Sequence, residues 1–419
     1  MNVDMKEVRP HDIARVVAIF YYGRSGSLFA QSLLDGHPDV LTIPANYLSG
    51  YYSFWKQFGN LAPIELIAAF IQNYEVFFDP TSCVNVIDVG VGVGLRLNFH
   101  EMGERHNESL GIDRDLFSDA LLRLVLQTKK DKEWSVDRKF FFQAVHLAYS
   151  EALGRNFRSK TPIIVFQGHN PYPNVVDQLI EDFSPHVQFL HCVREPIQSL
   201  ASWYTHMRDG IGDLELDLPL RTLHRSIAHA SPILVWNEFV TSKYRNSKFL
   251  VNWNDGNSGA IRLEDLHLDS RNTLQQLCDW LEIGWDDELM RSTFDGKLWH
   301  WRIGGEIRSG FQRRTISKTH SEVISKLDRF RLQFLLSDKF VFWGYSQPRY
   351  FNSPIFRTLS MLLWILPFKM ENTLWAKRGS YWSKKSRSNA APYFILRVII
   401  LVLWWRVFRR SPSLIRPIK

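Results

Sequence analysis

The run Val16-Val17-Ala18-Ile19-Phe20 leads without a break into Tyr21-Tyr22-Gly23-Arg24-Ser25-Gly26-Ser27, and an apolar pattern then begins at Leu28-Phe29 and resumes at Leu33-Leu34. A buried strand, a glycine-bearing turn and a helix in that order open an α/β unit. The theme recurs. Ile163-Ile164-Val165-Phe166 and Val187 to Val193 read as strands, the second followed by Pro196 at a first helical position, and Ala260-Ile261-Arg262-Leu263 is a third. Asp269-Ser270 is placed to cap a helix whose Leu274, Leu277, Cys278 and Leu281 share one face. Strands alternating with helices over roughly 350 residues predict a mostly parallel sheet flanked by helices. Between Pro44 and Pro162 the pattern is aromatic and mainly helical, which suits an inserted cap over a substrate pocket. The expected layout is therefore a catalytic domain over residues 1–350, with a helical cap at about 45–162, and a separate C-terminal segment over 351–419.

The first turn carries the chemistry. Backbone N–H groups at the start of a helix are unpaired and partly positive, so a turn placed there cradles a phosphate. Gly23 and Gly26 allow close backbone approach, Ser25 and Ser27 add hydroxyls, and Arg24 adds fixed charge. This is not the G-x-x-x-x-G-K-[ST] pattern, because only two residues separate the glycines and no Lys follows the second. A nucleoside triphosphatase is disfavoured. Arg194 offers a second anchor at the carboxyl end of a predicted strand, where ligands of open α/β sheets collect. Ser202 lies eight positions on, about two helical turns, so both side chains can converge on one phosphate.

The segment FYYGRSGSLFAQSLLDGHPDV, Phe20 to Val40, resembles the 5′-phosphosulfate-binding segment of the sulfotransferases that use 3′-phosphoadenosine 5′-phosphosulfate (PAPS), and its R-S-G-S core with an L-L-x-x-H-P-D-V run is similar to their carbohydrate and bacterial branches. FLHCVREPIQSLASWY, Phe189 to Tyr204, resembles the 3′-phosphate motif, an Arg then a Ser at this separation. A third stretch, Arg308 to Arg314, resembles the loop that folds over the nucleotide, although Phe311 and Gln312 stand where Gly and Trp-like residues are usual. The resemblance implies a P-loop-like parallel sheet without nucleotide hydrolysis. It also implies transfer of a sulfuryl group from PAPS to an acceptor hydroxyl, with release of 3′,5′-ADP and no metal. Carried over residue by residue, the nucleotide would be held by Arg24, Ser25, Gly26, Ser27 and Leu28 at its 5′ end and by Arg194 and Ser202 at its 3′-phosphate, with Arg308 and Arg313 over it.

Such a transfer needs a base for the acceptor proton and positive charge on the departing phosphate oxygen. The resemblance assigns the charge to Arg24. Relatives place the base either shortly after the H-P run or after the strand that precedes the 3′-phosphate motif. Leu41-Thr42-Ile43-Pro44 has no acid, whereas Phe166-Gln167-Gly168-His169 follows a strand, so His169 is the candidate, with Glu101 and Glu104 of the cap as alternatives. His37 reads as a structural residue at a helix end.

One rival is a methyltransferase using S-adenosylmethionine. Val86-Ile87-Asp88-Val89-Gly90-Val91-Gly92-Val93-Gly94 imitates its glycine turn, but Leu116 to Thr128 and Phe140 to Leu153 follow as helices rather than strand-helix units. A non-enzymatic membrane adaptor is the rival from another class.

The net charge of +8 is uneven: from Phe351 onward lie 13 of the 51 Lys/Arg and one of the 43 acids, so this tail carries +12 and the rest −4. A chain-wide nucleic-acid surface is not expected, and no motif that reads RNA or DNA accompanies the tail. The tail is apolar as well as basic, with Trp364, Trp375, Trp382, Trp404 and Trp405 among Lys377-Arg378, Lys384-Lys385-Arg387 and Arg406-Arg409-Arg410. Trp rings at headgroup level and cations toward lipid phosphates suit a segment lying on an anionic membrane. Its longest apolar stretch, Tyr393 to Phe408, is broken by Arg397 and Arg406 and falls short of a span. A charged N-terminus and three scattered cysteines, Cys83, Cys192 and Cys278, favour a reducing compartment, so the expected location is peripheral, on the cytoplasmic side of a membrane. The acceptor expected there is a saccharide or a lipid-linked alcohol.

Overall fold

β1 (Arg15–Phe20) lies inside the sheet, with Val17 to Phe20 wholly shielded from solvent. The computed structural model describes residues 8–20, 25–127, 136–168, 173–210, 223, 256–303, 306–316, 320–346, 348–376, 390–410 and 415–418. From β1 the chain passes into α1 (Ser27–Leu34), returns as β2 (Val40–Leu41), and after a long helical insertion forms β3 (Ile163–Gln167) between β2 and β1. It then crosses over β1, so that β4 (Val187–Val193) pairs on the other side and β5 (Ser258–Arg262) beyond it. All these pairings are parallel. β1 thus flanks the topological switch point, where ligands of open α/β sheets bind beyond the carboxyl ends of the strands.

The insertion holds α2 (Tyr51–Phe58), α3 (Pro63–Asn73), α4 (Val93–Arg96), α5 (Arg114–Leu126) and α6 (Arg138–Ala152). Its aromatic richness is spent on one cluster: Phe70 stacks on Tyr74 with centroids 4.3 Å apart and meets Phe54, Phe117 and Phe141. Arg138 then ties the insertion to the sheet layer, its Nε donating to Asp182 Oδ2 at 2.8 Å on α7 (Pro173–Phe183). The glycine-rich run at 86–94 forms no strand. Val86 bridges back to Gly90, and a Cβ at Gly94 would sit 2.3 Å from the Pro80 carbonyl oxygen, so this glycine serves packing.

α8 (Pro196–Gly210) follows β4. Leu263, expected in the third strand, instead begins α9 (Leu263–Leu268), a helix the sequence pattern did not announce; α10 (Ser270–Leu281) follows with Leu274, Leu277, Cys278 and Leu281 buried as expected. Asp269 takes the N-cap position of α10 as expected, but without a side-chain capping bond. Its carboxylate accepts from the Asn272 side chain, 3.0 Å away, rather than from a backbone N–H. Two antiparallel hairpins come next, β6 (Thr293–Phe294) with β7 (Lys297–Leu298) and β8 (His300–Ile303) with β9 (Glu306–Ser309), then α11 (Arg313–Ile316).

α12 (Lys326–Leu335) and α13 (Ser337–Phe342) precede the basic tail, which forms α14 (Pro354–Leu362), a 3₁₀ turn Leu363–Ile365, α15 (Lys369–Ala376), α16 (Ala390–Arg410) and β10 (Arg416–Pro417). β10 pairs parallel with β5 and completes the six-stranded sheet. Trp364, Phe368, Met370 and Leu401 join Leu200 and Tyr204 of α8 and Leu332 and Phe340 of α12 and α13 in a second core. Arg397 is not a break in an apolar span but an interior group: its Nε donates to both oxygens of the buried Glu371 at 2.9 Å. Phe368 lies between the guanidinium groups of Arg331 and Arg397, 4.4 and 4.7 Å from its ring centre. Among the described residues, no helix is long and apolar enough to cross a membrane.

Candidate functional site

In the β1 turn, Gly23 and Arg24 lie outside the described residues. The rest of the turn is set by Gly26, the N-cap of α1, at φ +89°. A Cβ there would stand 2.4 Å from Leu263 Cδ1, so the turn needs glycine both for its left-handed backbone and for its approach to α9. Gly26→Ala should cost about 2–3 kcal/mol, from a left-handed alanine and a displaced buried leucine, and should appear as a lower Tm in a thermal melt. An unchanged melt would mean that the turn relaxes freely.

No side chain caps α1. Ser25 and Ser27 are buried, Ser25 at 4% exposure, and the Ser25 hydroxyl has no hydrogen-bond partner among the described residues. A buried hydroxyl left unpaired at an uncapped helix start fits a ligand that brings anionic acceptor oxygens. Leu28 is half-buried in the first turn of α1.

Arg194 is the first residue after β4, and Ser202 lies within α8; both are half-buried. Because β4 pairs directly with β1, with His191 opposite Phe20, Arg194 and the Gly26 turn leave the same edge of the sheet from neighbouring strands. Glu195, which follows Arg194, uses its carboxylate on the start of α8, where Gln198 N–H donates to Oε2 at 2.5 Å. Its own N–H donates to Glu264 Oε1 at 2.9 Å. Burial pushes the Glu195 carboxyl up to about 7, so near neutral pH it offsets only part of the neighbouring arginine's charge.

α9 joins the separate motifs. Its first residue packs on Gly26, and its His267 stacks on Phe29 of α1 with ring centres 4.6 Å apart. His267 Nδ1 accepts from the N–H of Gln312, 3.1 Å away, in the stretch expected to fold over a nucleotide. Burial, and then the nearby charge of Arg194, lower its pKa to about 4, so the ring is neutral and its bond to Gln312 is intact at neutral pH. Phe311 and Trp301 meet Phe29 edge-on at 5.5 and 5.8 Å. One short helix therefore touches the β1 turn, the surroundings of Arg194 and the 308–316 loop. Sequence reasoning passed over His267 because GAIRLEDLHLD reads as a strand running into a cap; only the fold shows the ring's three neighbours.

Arg308 sits in β9 opposite Trp301, half-buried, and Arg313 opens α11 with its side chain exposed. His169 lies outside the described residues; Gly168 before it is held in place. Gly168 N–H donates to Ile19 O at 3.0 Å, and a Cβ at Gly168 would meet Phe20 Cε1 at 2.5 Å. Behind it a buried amide relay runs from Gln167 Nε2 to Gln31 Oε1 (2.8 Å) and from Gln31 Nε2 to Thr42 Oγ1 (2.9 Å), tying the ends of β3 and β2 to α1. Glu101 stands 3.8 Å from His100 in the insertion, and Glu104 is exposed there. His37 is structural, as expected: Nε2 bonds the Gly284 carbonyl at 2.7 Å and Nδ1 accepts the Asp39 N–H at 3.1 Å.

Residues 17–287 match the Sulfotransferase family. No curated protein matches the chain. Among solved structures it is similar to the sulfotransferase domain from the Synechococcus PCC 7002 olefin synthase, at 15% identity and a TM-score of 0.39, over 80% of this chain and 95% of that one. It is also similar to the sulfotransferase domain from the curacin biosynthetic pathway, at 16% identity and a TM-score of 0.40, over 80% of this chain and 99% of that one. The family match begins inside β1 and ends just past α10, taking in every segment gathered at this edge except the 308–316 loop, and the chain belongs to the sulfotransferase family.

Proposed function

We propose that this sulfotransferase takes its sulfuryl group from PAPS and passes it to the hydroxyl of a saccharide or a lipid-linked alcohol, releasing 3′,5′-ADP. The observation that carries the donor is the placement of the Gly26 turn and Arg194 beyond adjacent parallel strands, with α9 packed against the first and its Glu264 accepting from the N–H of Glu195 next to the second. When bound, PAPS supplies a sulfuryl group already activated by its bond to phosphate. The start of α1, with Ser25, Gly26, Ser27 and Leu28, holds the 5′ end, and Arg24 meets the charge that grows on the departing phosphate oxygen. Arg194 and Ser202 hold the 3′-phosphate, and Arg308 and Arg313 serve from the loop that Gln312 pins to His267. His169 takes the proton of the acceptor hydroxyl as the new oxygen–sulfur bond forms. Family membership leaves the Gly90–Gly94 turn no part in methyl transfer, and makes the chain an enzyme rather than an adaptor.

We further place the protein at the cytoplasmic face of a membrane, attached through residues 351–419, on the strength of that segment's charge and apolar content. The donor assignment is tested by isothermal titration. 3′,5′-ADP should bind about a hundredfold tighter than 5′-AMP, the worth of a charged phosphate contact with two donors. Equal affinities would remove the 3′ site and PAPS with it.

A further inference from the structure

We propose that α14, the turn Leu363–Ile365 and α16 form one face on which an anionic lipid bilayer rests without being crossed. This deepens the peripheral attachment proposed above, and rests on it. Of the 21 large hydrophobic side chains exposed among the described residues, ten fall between Ile355 and Leu403. On α14, Ile355, Leu359 and Leu362 recur at the spacing of one helical face; on α16, Ile395, Ile399 and Leu403 recur every four residues with Leu396 beside them. The other side of α16 is occupied already, by the Arg397 pair with Glu371 and by Leu401 in the second core. A helix apolar all round is ordinarily covered all round. α16 is covered on one side only. The turn between the two faces exposes Ile365 and Leu366 and packs against α16, which joins them.

Charge decides the occupant. The only acid of the tail, Glu371, is consumed inside by Arg397, and Tyr393 also donates to it, so no carboxylate of 351–419 is left to face outward. Five Lys/Arg lie at positions 377–387 just before α16, and Arg406, Arg409 and Arg410 lie at its end. An aliphatic face on a helix flanked by cations in sequence suits acyl chains beneath anionic headgroups. It would repel a second copy carrying the same charge. The tryptophan belt expected from sequence is not what faces out: Trp364 is buried, Trp404 and Trp405 are half-buried, and the side chains of Trp375 and Trp382 lie outside the described residues.

The test is flotation of the full chain with phosphatidylcholine vesicles, with and without about 30 mol% phosphatidylserine. The variant Ile355→Gln/Leu362→Gln/Ile395→Gln changes the three most exposed of the ten, at 77%, 69% and 60%, with little expected effect on folding. It should lower binding to the anionic vesicles about tenfold or more, while its affinity for 3′,5′-ADP stays unchanged. Ile64→Gln, equally exposed on α3, should float like the wild type. A full chain that ignores anionic vesicles overturns the membrane attachment itself. A full chain that floats alongside an equally floating triple variant overturns only this face. A lipid-free dimer that the triple variant turns into a monomer would make the occupant a second copy, and overturn the lipid assignment.

Discussion

His169→Ala should lower kcat for sulfuryl transfer by about 10²–10⁴-fold while leaving 3′,5′-ADP binding within twofold of wild type. The reasoning is positional. Gly168, the last described residue before it in sequence, is fixed against Ile19 and Phe20 by a hydrogen bond and by the absence of a side chain, at the carboxyl ends of β1 and β3. A base acts on the acceptor proton and makes no contact that a product nucleotide would miss, which separates rate from affinity. A neutral imidazole accepts the proton and an imidazolium cannot, so the wild-type rate should fall on the acid side and the variant should lose that acid limb. Retained turnover with an unchanged profile would move the base to another group, with Glu101 and Glu104 of the insertion next in line. Two other histidines are unsuited to the role. His191 is buried within β4 with its pKa lowered to about 3, and His146 is buried in α6 against the Phe142 carbonyl with its pKa lowered to about 4.

Arg194→Ala should weaken 3′,5′-ADP binding by about a hundredfold and leave 5′-AMP within threefold, so the preference between the two nearly vanishes. The guanidinium offers a planar pair of donors, and its partly protonated neighbour Glu195 cancels only part of its charge near neutral pH. Arg194→Lys should recover part of the loss, since an ammonium keeps the charge but not the fork. Titration of both nucleotides against the three proteins gives the answer. Equal losses for both nucleotides would mean that Arg194 supports the site as a whole rather than reading the 3′-phosphate.

Much of this architecture was legible because its signals are local. The strands Val16 to Phe20, Ile163 to Phe166 and Val187 to Val193 are short apolar runs bounded by breakers, and each forms where the pattern put it. α10 and the helices of the insertion follow from apolar spacing in the same way. The two anchor motifs were legible as residue types beside strand ends. α9 was hidden because six residues carry too little periodicity to separate a helix from the strand before it. β10 was hidden because two residues ending in proline carry no strand signal; they pair because the edge of β5 is there to receive them.

The same division runs through the tail. Its composition announced a basic, apolar segment but not which side of it faces out. That Arg397 and Trp364 point inward while Ile395 and Leu362 point outward follows from the second core against α8, α12 and α13, a contact between parts of the chain far apart in sequence. Sequence alone therefore determined the fold class, the strands that flank the candidate site and the residue types proposed to line it, because these depend on neighbours a few residues away. The tertiary structure decided how the pieces meet: Gly26 against Leu263, His267 between Phe29 and Gln312, and one face of α16 against the body. Such contacts join residues tens to hundreds of positions apart, and local pattern holds no record of which distant surfaces burial will bring together.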